Sequence, residues 1–132
     1  MPIGYLDVPT GLELGRKREL VQAMYEALKE AYPFPDDTRI FVREWPLDSM
    51  SQNGVLGAEP PRPAFVAHVP QGLDIDAKRK MMAKIHAAVA DAYHLPEFIT
   101  FLHEHSLDLV AVNGALLADD QQRVEEQRKV YR

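Results

Sequence analysis

Leu20, Val21, Met24, Ala27, Leu28 and Ala31 recur at the spacing of one helix face, and Met81, Met82, Ile85, Ala88, Val89 and Ala92 repeat the stripe later in the chain. Each stripe predicts a helix with one face buried on a sheet. Before each helix a short apolar strand is expected, from Pro2 to Val8 and from Pro63 to Val69. Pro-x-Gly closes each strand, its fixed and permissive backbones turning the chain. Pro35 and Pro96 end the helical patterns, and second strands follow near Arg39 to Trp45 and Ile99 to His105. Strand, crossover helix, strand is a βαβ unit, with parallel strands and a right-handed connection.

The two units are copies. Displacing the chain by 61 positions sets Val8, Pro9, Gly11 and Leu12 on Val69, Pro70, Gly72 and Leu73, Lys17-Arg18 on Lys78-Arg79, and Ala31-Tyr32 on Ala92-Tyr93. After one residue is dropped, Phe41, Glu44, Leu47-Asp48 and Asn53-Gly54 fall on Phe101, Glu104, Leu107-Asp108 and Asn113-Gly114. One unit cannot bury both faces of its strands. Side by side, two units make an α+β fold, a four-stranded mixed sheet with two helices on one face. The bare face then calls for a further partner, which predicts oligomerisation.

At 132 residues the chain is read as one domain, with repeats over about 2–56 and 63–116, a proline-rich linker at 57–62 and a C-terminal tail at 117–132. The tail is charged and helix-forming, a peripheral helix serving as an interface element or a frayed end. A net charge of -5 lacks the basic surface that nucleic acid requires. With no cysteine, disulfides, thiolate chemistry and cysteine metal sites are excluded. No leader pattern follows Met1 and no apolar run reaches about 18 residues, so a cytoplasmic protein with no membrane partner is expected.

Pro2 is the residue with distinctive chemistry. Aminopeptidases generally remove an initiator Met that precedes proline, which would leave a rigid secondary amine. Apolar surroundings and a nearby cation bring such an amine toward neutrality as a base. Pro63 aligns with Pro2 but is internal, and its nitrogen is a non-basic amide. His103 and His105 share one strand face and form a metal pair only if His68 or His86 joins them. We expect such histidines to line a polar sheet face or interface, and we assign no metal and no cofactor.

With Pro2 opening the first of two tandem βαβ units, the chain resembles the tautomerase superfamily, in particular fused proteins similar to 4-oxalocrotonate tautomerase. The resemblance rests on Pro2, Gly11, Lys17, Pro35, the strand from Arg39 to Glu44, and Asn53-Gly54, and it recurs in the second half. It implies a tautomerase or isomerase acting on a small 2-keto acid or enol, with Pro2 as general base and Arg39 holding a carboxylate or enolate oxygen. Trp45 and Met50 are implied as the apolar wall, and a homotrimer as the assembly. The family's second arginine is replaced by Leu12 and Leu73, and its water-activating glutamate by Gln52 and Val112. Asp37 lies beside the place of an aspartate found in family decarboxylases. The alternatives are thus a decarboxylase or hydratase of the same superfamily, or a non-catalytic binding and assembly protein.

Overall fold

A computed structural model describes residues 2–131. Strand β1 (Ile3–Pro9) leads through helix α1 (Leu14–Ala31) to β2 (Arg39–Trp45) and a small hairpin of β3 (Ser51–Gln52) and β4 (Val55–Leu56). The second half repeats this as β5 (Ala64–Pro70), α2 (Ile75–Tyr93), β6 (Ile99–His105) and the hairpin β7 (Ala111–Val112) and β8 (Ala115–Leu116). Helix α3 (Gln121–Val130) closes the chain. The main sheet has the order β2-β1-β5-β6, parallel within each repeat and antiparallel between β1 and β5, as a mixed sheet of two βαβ units requires.

The strands divide by parity. Leu6 and Val8, with Phe65, Ala67 and Val69, face the helices and are buried. There they meet Leu20, Met24, Ala27 and Leu28 of α1 and Met81, Ile85 and Val89 of α2, the predicted stripes. An ion pair marks each repeat, Lys17 to Glu44 at 2.7 Å and Lys78 to Glu104 at 3.0 Å. The halves are also laced crosswise. Burial, then the charge of Glu44, pushes Tyr93 up to about 12; burial, then Tyr131 and Glu104, raises Tyr32.

On the other face lie Ile3, Tyr5, Phe41, Phe101 and three histidines. Phe41 and Phe101, matching positions of the repeats, are 48% and 53% exposed. Tyr5 stacks on Phe41 at 5.5 Å.

Gly4 is dictated by close approach. A Cβ there would lie 2.3 Å from Cζ and 2.4 Å from Cε1 of Phe65, whose ring crosses from the neighbouring strand. Gly4→Val is expected to lose about 1–3 kcal/mol, read as a lower urea midpoint at unchanged slope. Adding Phe65→Leu should recover part of that loss, because the two sites share one volume.

Candidate active site

Pro2 is fully buried just ahead of β1, and its carbonyl accepts the backbone N–H of Arg39 at 3.0 Å. The parallel register, Ile3 opposite Arg39, thus brings Pro2 and Arg39 to one end of the sheet. Because β5 runs antiparallel to β1, its carboxyl end arrives at the same edge. Ile3 stands opposite His68, and Pro70 opposite His105.

A cavity of about 380 Å³ opens there. Its polar lining is Arg39, His68, His105 and Asn113; its apolar wall includes Ile3, Leu107, Leu109, Val110, Val112 and Leu117. Most of that wall comes from the second repeat. The Asn113-Gly114 turn shapes it. Both residues have positive φ, 53° and 82°, as do Asn53 and Gly54 in the first copy, which suits a two-residue hairpin turn.

Arg39 is 58% exposed and reaches Asp37 at 3.4 Å, with Asp37 at 74%. Such a long, solvated pair contributes about 0–1 kcal/mol, so an incoming carboxylate can displace Asp37. Trp45 and Met50 lie at the opposite end, beyond a seven-residue strand, or about 20 Å along it. Within one chain they do not line this cavity, nor does Pro2, and the repeat counterparts of Trp45 and Met50, His105 and Val110, stand in their places. The reason is the antiparallel joining of the repeats, which puts equivalent positions at opposite ends. Leu12 is at the far end too, while Leu73 is buried in the core.

At the Trp45 end, Asp7 accepts from Trp45 Nε1 at 2.8 Å and from Arg43 at 2.9 and 2.8 Å. Burial works against its charge, yet the hydrogen bonds from Arg43 and Trp45 prevail and hold the carboxyl below the usual range. The equivalent places at the Pro2 end hold His68, His103 and His105. His68 Nδ1 lies 2.9 Å from His105 Nε2, and its ring stacks on His103 at 5.0 Å. His86 is elsewhere, on α2 against Phe98. Sequence reasoning grouped His68 with His103 and His105 without reaching this cavity role. The repeat alignment, which matches Asp7 to His68 and Trp45 to His105, carried the signal. Among the described residues no group of three or more acids and histidines is arranged to hold a metal ion.

Burial, then His105 and His103, lowers His68 below its ordinary value. The unfolded chain therefore takes this proton first, and stability present above the ordinary imidazole range, near about 6.5, is lost as pH falls below it. His68→Gln should flatten that dependence, compared by urea midpoints at about pH 7.5 and about pH 5.5.

No protein-family model matches the sequence, and no curated protein matches it. Solved structures do. A native fused 4-OT has a TM-score of 0.79 at 20% identity, over 88% of this chain and 96% of its own. A fused 4-OT that forms an asymmetric trimer has 0.80 at 19%, over 90% and 98%. A malonate semialdehyde decarboxylase has 0.69 at 14%, over 95% and 98%. Likeness at such identities is a likeness of fold. The two βαβ units and their antiparallel junction accordingly compose the fold of the fused 4-OT structures.

Proposed function

We propose that this protein is a tautomerase-type isomerase acting on a small 2-keto acid or enol, with the nitrogen of Pro2 as general base once Met1 is removed. Met1 lies outside the described residues. The observation that carries the reading is the burial of Pro2 at the strand end from which a cavity holding Arg39 opens. An amine in apolar surroundings loses affinity for its proton, and a guanidinium nearby adds to that effect. Arg39 holds the substrate carboxylate, Pro2 moves a proton at the carbon beside the carbonyl, and the apolar wall excludes water.

The protein acts as a cytoplasmic homotrimer, taking a small molecule and no cofactor. Support for the trimer comes from the uncovered sheet face with Phe41 and Phe101 and from the trimeric fused 4-OT relative. Among the described residues no helix is long and apolar enough to cross a membrane. Decarboxylation is a second reading, favoured by Asp37 beside Arg39. Asp37 is strongly exposed, where Pro2 is fully buried, so tautomerisation stands first.

Intact mass of the natively expressed protein is the first test. A chain that keeps Met1 has only an amide nitrogen at Pro2, and the non-catalytic binding and assembly reading then replaces the enzyme. With Met1 absent, ketonisation of phenylenolpyruvate is the assay.

A further inference from the structure

The cavity contains a chemical group that the reading above does not use. His68 and His105, from adjacent strands, meet at 2.9 Å through Nδ1 of one and Nε2 of the other, and both rings line the cavity with Arg39. A neutral imidazole has one N–H and one bare nitrogen. When two neutral rings share a hydrogen bond, one inner nitrogen donates and the other accepts. The two outer nitrogens, Nε2 of His68 and Nδ1 of His105, must then be one acceptor and one donor, whichever tautomer is present. The pair is thus a short relay: a proton enters at one end, shifts across the 2.9 Å bond, and another leaves from the far end.

From this geometry we propose that the His68–His105 pair handles the proton on the C2 oxygen of a 2-oxo monocarboxylate, while Arg39 holds its carboxylate and the apolar wall receives its C3 substituent. The proposal deepens the tautomerase reading and rests on it for the chemistry at C3. In ketonisation the enol O–H passes its proton to the outer bare nitrogen of the pair, and the O–H electrons complete the C2=O bond. The C2=C3 electrons take a proton from protonated Pro2, forming C3–H, the reverse of the step in which Pro2 acts as base in enolisation. The pair releases its other outer proton to water, and water reprotonates Pro2, so protons and charge balance.

Three features fit this assignment. His68 stands opposite Ile3, the residue after Pro2, which brings the pair to the strand end that Pro2 opens. Among the described residues the lining holds one guanidinium and no second Lys or Arg, so it matches one carboxylate rather than two. His68 is biased toward the neutral form that the relay needs, by burial first and then by His105 and His103. The groups facing the pair are His103 on β6, Tyr5 on β1 at 6.1 Å from the His68 ring, and Arg39 across the cavity, itself bound to Asp37. From the hairpin and its flanks the lining residues are uncharged.

The deciding experiment follows the histidine ring resonances by NMR while 2-oxobutanoate or butanoate is added. His68 and His105 should respond to 2-oxobutanoate and much less to butanoate, which lacks the C2 oxygen, while His86 on α2 stays still. Unmoved rings, or equal responses to both acids, would overturn the proposal, and this arm does not depend on Pro2. In the ketonisation assay His105→Gln should lower kcat about 10²-fold with little change in KM and abolish the imidazole limb of the pH profile. A His105→Gln enzyme with wild-type kcat and pH profile, beside an inactive Pro2→Ala, sinks the relay and leaves the tautomerase reading intact. Equal rates for wild type and Pro2→Ala sink the tautomerase reading instead. If His105→Gln fails to fold, the NMR comparison on the unaltered protein decides alone.

Discussion

Pro2→Ala is expected to lower kcat/KM for phenylenolpyruvate ketonisation by about 10²–10⁴-fold, the range typical of a positioned general base. In free energy that is about 3–5 kcal/mol of lost transition-state stabilisation. The alanine variant still has an N-terminal amine after Met1 is removed, so the loss measures position and basicity rather than the mere presence of nitrogen. The proline ring is fully buried and its carbonyl is tied to Arg39 at 3.0 Å, which leaves its nitrogen little freedom to move. A primary amine on alanine has no ring to anchor it and rotates about its own bond. Unchanged far-UV circular dichroism would show that the fold survives. Equal rates for the two proteins would refute Pro2 as base.

Arg123→Ala is the second large effect, and it falls on α3. Arg123 is only 2% exposed. Its Nε donates to Asp36 at 2.6 Å, its Nη1 to Gln127 at 3.0 Å, and its guanidinium lies 3.9 Å over the centroid of Phe34. Truncation removes that cation from beside a mostly buried carboxylate, a change of about 3–5 kcal/mol in comparable buried pairs. Because α3 is a terminal element, the loss should appear first as local opening. Hydrogen exchange in α3 is then expected to speed up by orders of magnitude, with β1 amides much less affected. Leu117, which precedes α3 and lines the cavity, links this opening to a raised KM. Arg123→Met combined with Asp36→Asn should recover much of the protection, since it removes both charges together. Undiminished α3 protection in Arg123→Ala would refute the anchoring role.

The same helix shows where sequence reasoning reaches its end. A charged, helix-forming tail reads as peripheral or frayed because its composition offers no apolar stripe. The structure docks it instead around a buried arginine, whose guanidinium lies on Phe34 while Tyr131 meets that ring edge-on at 5.5 Å. No periodicity announces such an anchor, since its ion-pair partner Asp36 is 87 residues away. The small hairpins were differently hidden. Asn53-Gly54 and Asn113-Gly114 are strong two-residue turn signals, yet two-residue strands are too short for an alternating pattern to register.

What the sequence by itself determined is local and repeated. The spacing of Met24 and Leu28, and of Ile85 and Val89, dictates amphipathic helices; the prolines end them; and internal identity forces two βαβ units of the same kind. The second main strand of each unit runs over the residues expected, Arg39–Trp45 and Ile99–His105, and the first over Ile3–Pro9 and Ala64–Pro70, one residue beyond the starts expected. The placement of Pro2 and Arg39 at one end of the sheet was also legible, since parallel pairing within one unit brings them together. Only the tertiary structure decided which residues surround them. The antiparallel meeting of β1 with β5 is a long-range choice, and it exchanges Trp45 and Met50 for His105 and Val110 in the wall of the cavity that holds Arg39. Periodicity tells which face of a strand a residue occupies, but not which end of the neighbouring repeat will lie beside it.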